Sequence, residues 1–153
     1  AAGRAGRGEV PGEVVIQTYQ PEHYSIKTAK DQDYEAFYRQ EIEYRKMMLY
    51  PPVFHLLVIL CASKWEQRAS DGADELLHEI DGIQELKKKI FPIGPADPAI
   101  ARINDIYRKV IYLKAEDYQN LVFVKDRLEK FVRDNTDYKD IVVQFDFNPV
   151  NGF

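Results

Sequence analysis

The chain has 153 residues, of which 45% are hydrophobic and 30% are charged, the composition of an ordinary soluble globular domain. Its net charge of −4 and pI near 5.4 exclude nucleic-acid binding driven by overall charge and leave only a local basic surface for that role. One cysteine excludes an internal disulfide, and three scattered histidines predict no metal site. No apolar run is long enough to span a bilayer, and no charged-then-apolar leader sequence is recognisable. These two observations predict a cytoplasmic protein without a membrane partner.

The first residues form a Gly/Arg-rich run, Gly3-Arg-Ala-Gly-Arg-Gly8. Arginine suits a polyphosphate ligand because its planar guanidinium donates paired bonds to phosphate oxygens and keeps its charge. The glycines let such a ligand approach the backbone closely. Arg4 and Arg7 are therefore candidate phosphate ligands; the alternative is that the run is a solvated tail.

The next segment predicts one strand and two helices. Alternating residues from Val14 to Tyr19 predict a half-buried strand. A short helix is predicted from Pro21 to Ala29, and a longer one from an Asp33 cap to about Met48. An aromatic stripe on the longer helix is interpreted as packing rather than as a base-stacking platform: Tyr34, Phe37 and Tyr38.

The sequence after these helices predicts an α+β domain. Its apolar run Phe54 to Cys61 predicts a central strand, around which the domain is organised. His55 and Cys61 within it are interpreted as core residues rather than catalytic groups. The later predicted elements are a helix over Lys64–Ile90 with weak points at Gly72 and Gly82, strands Phe91–Gly94 and Ile106–Lys114, a helix Glu116–Asp134 and a strand Ile141–Phe147. This order, βαββαβ, predicts a split, ferredoxin-like antiparallel sheet with both helices on one face.

Several motifs carry a family resemblance. Gly3 to Gly8 and the following turn and strand resemble the last motif of superfamily-two helicases. Further matching segments are Tyr19–Tyr24, Asp31–Tyr38, Tyr50-Pro-Pro52, Ile93-Gly-Pro-Ala96 and Phe145–Phe153. Together they resemble the C-terminal end of the bacterial primosomal protein N′ family, the replication-restart DNA helicases, over essentially the whole chain. The family's motif glutamine would fall just before Ala1, and the sequence has no counterpart of the phosphate-binding loop, metal-binding carboxylates or cysteine-rich zinc region.

The resemblance implies a domain plan and an activity. Residues 1–30 would end the second motor lobe of the helicase with its last strand, 31–50 would be a linking helix, and 51–153 the C-terminal domain. The intact protein would unwind DNA in the 3′-to-5′ direction with ATP and magnesium, and would hold zinc in an upstream region; this chain alone is expected to be inactive and to bind no cofactor. Arg4 and Arg7 would contact the γ-phosphate. The implied partners are branched or forked DNA, single-strand-binding protein and other primosome proteins.

The predicted strand Ile106–Lys114 suggests a DNA surface. Arg108, Tyr112 and Lys114 alternate on one side of it, and Arg102 lies in the preceding loop. The alternative is that these cations pair with acids such as Asp146 while Tyr112 shields the sheet. The strand lacks the glycine and aromatic pair of an RNA-recognition motif.

A second class of function also fits the sequence. The α+β domain could be a stand-alone ligand-binding or oligomerisation module in which the Gly/Arg run is only a tail. In either class, the predicted strand Val14–Tyr19 offers unpaired backbone groups and an apolar edge, so we expect it to pair with a second copy and give a homo-oligomer, or to pack on its own domain.

Overall fold

The computed structural model describes residues 12–149. The helices are α1 (Tyr24–Asp31), α2 (Tyr34–Met47), α3 (Glu66–Asp81) and α4 (Tyr118–Asp134). The strands are β1 (His55–Ser63), β2 (Ile90–Ala96), β3 (Arg102–Ile103), β4 (Ile106–Ala115) and β5 (Val142–Phe147). Short 3₁₀ turns occupy Gln84–Leu86 and Thr136–Tyr138. The chain divides into two compact units between Glu41 and Ile42.

The first unit contains α1 and most of α2. The cap predicted for the longer helix is confirmed, because the Ala36 N–H donates to the Asp33 carboxylate at 2.9 Å. Helix α1 begins at Tyr24 rather than at Pro21. The preceding residues instead form a turn in which the His23 N–H donates to the Gln20 carbonyl at 3.1 Å.

The predicted strand Val14–Tyr19 is wrong, since residues 12–20 have no regular secondary structure. Alternating residues form a strand only where a neighbouring strand completes the backbone hydrogen bonds. Within residues 12–149 no strand pairs with this segment. Val15 and Tyr19 are accordingly among the exposed apolar side chains.

The aromatic stripe of α2 is only partly packed. The Phe37 ring lies 6.2 Å from the Tyr24 ring, and the Tyr24 hydroxyl donates to the Glu41 carboxylate. Tyr34 and Tyr38 stack on each other at 6.4 Å but remain 73% and 53% exposed. Packing is therefore confirmed for Phe37 and wrong for the two tyrosines.

The second unit is an antiparallel sheet with the strand order β2-β4-β1-β5, and β3 pairs with β4. The α+β class and the central position of β1 are confirmed, because β1 pairs with β4 on one side and β5 on the other. One face of the sheet carries the main core under α3 and α4, with Leu57 and Ile59 fully buried. Val58 and Leu60 leave β1 on the other face and form a smaller buried cluster.

Helix α3 is shorter than predicted, because it ends at Asp81 and Gly82 caps it. The apolar period continues to Ile83 and Leu86 since these residues enter the same core from the following 3₁₀ turn. Gly72 is a point of close contact rather than a weak point. A Cβ at Gly72 would lie 2.6 Å from Ile141 Cδ1, and the Gly72 carbonyl accepts a hydrogen bond from the Tyr138 hydroxyl at 2.8 Å.

The strands of the second unit differ from prediction at two places. Asn104 and Asp105 both have positive φ, 48° and 62°, the requirement of a two-residue hairpin turn, so the short strand β3 pairs back on β4. Strand β2 extends to Ala96, beyond the predicted end at Gly94. Gly94 has φ +116°, and a Cβ there would lie 2.8 Å from the Val110 carbonyl, so only glycine fits. Helix α4 and strand β5 agree with prediction to within their ends.

Candidate functional site

The face of the sheet opposite α3 and α4 is formed by alternate residues of four strands. Tyr112 lies opposite Val58 of β1 and Ile93 of β2, and Val58 in turn lies opposite Asp146 of β5. Opposed residues of antiparallel strands project to the same face, so these side chains share one surface. By the same register the face also carries Leu56, Leu60, Phe91, Arg108, Val110, Lys114 and Gln144.

The middle of this face is apolar and partly aromatic. Val58 and Val110 are almost completely buried, and Tyr112 packs against their cluster and remains partly exposed itself. Beside it on β2, Phe91 is 38% and Ile93 50% exposed. Exposed aromatic and apolar side chains therefore surround the Tyr112 ring on the β2 side, a surface on which a flat apolar group could lie.

Arg108 lies at one end of this face. Its guanidinium donates to the Ile100 carbonyl at 3.1 Å, and its backbone N–H donates to the Ala101 carbonyl at 2.9 Å. Both bonds tie the loop before β3 to this end of β4. The cation is thereby held in one place, which favours recognition of a fixed anionic group.

The expectation that Arg102 shares the face is wrong. The hairpin turn pairs Arg102 with Tyr107, and Tyr107 leaves β4 on the opposite side from Arg108 because side chains alternate along a strand. The Arg102 guanidinium lies 4.8 Å from the centroid of the Tyr107 ring and 2.5 Å from an Asp105 carboxylate oxygen. The position of Arg102 depends on the positive-φ turn between β3 and β4. The alternation of side chains along a strand does not reveal that turn.

Lys114 lies at the other end of the face, about 20 Å from Arg108 at roughly 3.4 Å per residue. Its ammonium donates to the Met48 carbonyl at 3.3 Å and lies 4.4 Å from the centroid of the Tyr50 ring. Burial lowers the pKa of Lys114. Within residues 12–149 it forms no ion pair, so the alternative in which Lys114 is neutralised by Asp146 is not observed.

The remaining candidates are placed as follows. His55 packs edge-to-face on Tyr118 with 5.4 Å between ring centroids, and Cys61 is buried, which raises the pKa of its thiol to about 12. The prediction of a core residue is therefore confirmed for Cys61 and wrong for His55, which is only partly buried. Across residues 12–149 no group of histidine, cysteine and acidic side chains could hold a metal, and no helix is long and apolar enough to cross a membrane. Arg4 and Arg7 lie outside the described residues.

Sequence reasoning missed three members of this surface: Tyr50, Phe91 and Ile93. In the sequence Tyr50 stands out only within the matching segment Tyr50-Pro-Pro52, and nothing local shows that its ring meets Lys114, 64 positions later. Phe91 and Ile93 alternate correctly for one face, but the face is defined only once β2 is known to lie beside β4. The signal in the sequence that could have identified Phe91 and Ile93 is that both lie on the apolar side of an edge strand.

Comparison with known proteins gives one consistent result. Residues 46–150 match the family described as primosomal protein N C-terminal domain. Replication restart protein PriA of Bacillus subtilis is 36% identical over 97% of this chain and 18% of its own length. The proteins of the same name from Synechocystis and Borreliella burgdorferi are 33% and 30% identical, over 93% and 97% of this chain and 17% and 22% of their own lengths.

The chain spans about a fifth of the length of the curated relatives it matches. Among solved structures, the designed protein Foldit4 has a TM-score of 0.47 at 9% identity, covering 64% of this chain and 99% of its own, too distant a likeness for any conclusion. The family match itself covers well over half of the sequence, so the chain belongs to the primosomal protein N C-terminal domain family.

Proposed function

We propose that this chain is part of an ATP-dependent DNA helicase that restarts replication, and that its sheet binds branched DNA through the face opposite α3 and α4. The relatives' names support a role in replication restart. The observation that carries the DNA proposal is the arrangement on β4, where the partly exposed Tyr112 ring lies between two positioned cations, Arg108 and Lys114. Bases stack on aromatic rings and phosphates bind cations.

The net charge of −4 does not oppose this proposal, because affinity for DNA depends on the local field. The Lys114 ammonium has three donors, and the bond to the Met48 carbonyl uses one, so others can reach a phosphate. Its contact with Tyr50 also keeps it at the rim of the face. The planar guanidinium of Arg108 lies at the other end of the face, and this group is the one best suited to bidentate contact with a phosphate.

The intact protein would contain more than this chain. In it, Arg4 and Arg7 would contact the γ-phosphate of ATP and stabilise charge in the transition state, while magnesium would bind elsewhere in the motor and zinc in an upstream region. We assign 1–30 to the end of the motor lobe, 31–50 to a linking helix and 51–153 to a ferredoxin-like domain; the strand order β2-β4-β1-β5 supports the last assignment. Single-strand-binding protein and primosome proteins are the proposed partners.

Binding of this chain to forked DNA at two salt concentrations tests the proposal. Arg108→Ala and Lys114→Ala should each weaken binding and lower the slope of log affinity against log salt by about one. Arg102→Ala should change little, because the hairpin directs it to the other side. Lys88→Ala, at an exposed site after α3, is the matched control.

The aromatic contact is tested separately from the fold. Tyr112→Leu keeps an apolar side chain on the Val58 cluster and removes the ring, so it should weaken binding by roughly 1 to 3 kcal/mol, whereas Tyr112→Phe should bind as the parent does. Equal thermal unfolding of both variants shows that the sheet is intact. If Arg108→Ala and Lys114→Ala leave affinity and salt slope unchanged while Lys88→Ala lowers both, DNA binds on the helical side and the proposal is wrong.

A further inference from the structure

Strand β5 forms one edge of the sheet, and within residues 12–149 no strand pairs with its outer side. Its register on β1 shows which backbone groups point outward. The Asn148 N–H donates to the Leu56 carbonyl at 2.8 Å, and the Leu56 N–H donates to the Asn148 side chain at 2.8 Å. Because hydrogen-bonded pairs recur at every second residue of an antiparallel ladder, the outward N–H and C=O groups belong to Val143, Phe145 and Phe147.

The two edges of the sheet differ in whether they can accept another strand. Edge strand β2 carries Pro92 and Pro95, which have no N–H to donate, and proline on an edge prevents further pairing. Strand β5 contains no proline and no lysine in its six residues. Among the strands of residues 12–149, only the edge strand β5 therefore presents an unbroken row of donors and acceptors.

We propose that β5 pairs antiparallel with β5 of a second copy of this chain, so that the two sheets become one. The two-fold axis would pass beside Phe145, which faces its own counterpart. Val143 then lies opposite Phe147 of the other copy, and all the outward groups are paired, giving about six backbone hydrogen bonds. A shift of two residues in either direction leaves some of these groups unpaired.

The side chains favour the same register. On the core face, Val143, Phe145 and Phe147 are apolar and only partly buried against the main core, and pairs of aromatic and β-branched residues stabilise adjacent strands. On the other face, the exposed Gln144 lies opposite Asp146 of the second copy, so an amide can donate to a carboxylate. A shift by two residues toward the C-terminus would bring the two Asp146 carboxylates face to face, which is unfavourable.

The interface formed by this strand pairing is small. A contact limited to one six-residue strand buries less than the roughly 1,200 Å² of the smallest standard interfaces, so we expect reversible dimers with a dissociation constant near 0.1 mM, on the order of weak transient complexes. The proposal is independent of DNA binding. It also differs from an oligomer formed through residues 14–19, which have no strand structure.

Sedimentation equilibrium of the 153-residue chain at low salt tests the pairing. In the proposed register, residue 144 faces Asp146 twice in each dimer. Gln144→Lys should therefore tighten dimerisation, and Gln144→Glu should weaken it, each by about 2- to 30-fold from two cross-strand charge pairs. The same substitutions at Gln40, exposed on α2, are the control and should leave association unchanged.

A backbone variant supplies a second readout. Phe145→Pro removes one outward N–H from the edge and should abolish dimers; its circular dichroism shows whether the domain is still folded. A monomer at all concentrations up to about 1 mM would overturn the proposal. The proposal would also be overturned if Gln144→Lys and Gln144→Glu shift the dissociation constant in the same direction, or if neither shifts it.

Discussion

The contact between Tyr138 and Gly72 allows a quantitative prediction of stability. Tyr138 is 5% exposed in the 3₁₀ turn before β5, and its hydroxyl donates to the Gly72 carbonyl in α3 at 2.8 Å. Its ring also meets Phe131 edge-to-face at 5.8 Å. Burial raises the pKa of Tyr138, so the hydroxyl keeps the proton that it donates. Tyr138→Phe removes this bond and keeps the ring contacts.

The expected cost follows from what remains after the substitution. The Gly72 carbonyl lies in the interior of α3 and still accepts the helical N–H, so no buried acceptor is left without a partner. The loss is then that of one neutral hydrogen bond, about 1 kcal/mol of unfolding free energy. For a chain of this length the melting temperature should fall by about 2 to 4 °C.

Urea unfolding followed by circular dichroism measures this difference, with Tyr44→Phe, at a 45% exposed site, as the control that should change stability by less than about 0.5 kcal/mol. A Tyr138→Phe variant as stable as the parent would show that the bond contributes nothing. A loss above about 3 kcal/mol would show that the Gly72 carbonyl has become an unsatisfied acceptor, contrary to the helical bonding described above.

Three further predictions concern chemistry. This chain should neither bind ATP tightly nor hydrolyse it, since in the proposed role Arg4 and Arg7 would supply only one side of a two-sided site; turnover above a blank that disappears in Arg7→Ala would contradict this. In the intact helicase proposed above, the same substitution should reduce hydrolysis severely while leaving DNA binding largely alone. Cys61, with its pKa raised to about 12 by burial, should react with a thiol reagent at pH 8 only as fast as the domain unfolds, and labelling at the rate of a free thiol would refute its burial. The bond to Arg68 lowers the pKa of Asp140, so its contribution to stability is present at neutral pH and is lost as the pH falls below the ordinary carboxyl range; Asp140→Asn should remove that part of the acid dependence of unfolding.

Sequence patterns predicted elements well where the core itself imposes a period. Helix α4 agrees with the predicted helix Glu116–Asp134, since Leu121, Val124 and Leu128 repeat at helical spacing and all three are buried. Strand β4 was predicted with the correct division of faces, since Ile111 and Leu113 enter the main core and Val110 enters the smaller cluster. In both cases the local pattern and the tertiary environment agree.

The same patterns failed where structure depends on a partner or on backbone dihedral angles. The alternation at Val14–Tyr19 produced no strand, because no neighbouring strand pairs with it within residues 12–149. The turn at Asn104 and Asp105 moved Arg102 to the other side of β4, because positive φ at both residues forms a hairpin. The apolar period of α3 continued past Gly82, since a 3₁₀ turn placed Ile83 and Leu86 in the same core.

The sequence by itself determined the class of the domain, its central strand and the candidate residues Arg108, Tyr112 and Lys114. Hydrophobic periodicity is a local property, and it identifies which side of each element is buried. Tertiary structure alone decided which strands are neighbours, and therefore that Phe91 and Ile93 adjoin Tyr112 and that Lys114 lies over Tyr50. Contacts between residues far apart in the chain depend on strand order and register. These are determined by the packing of the core and by the cost of closing the loops between strands, which no local pattern records.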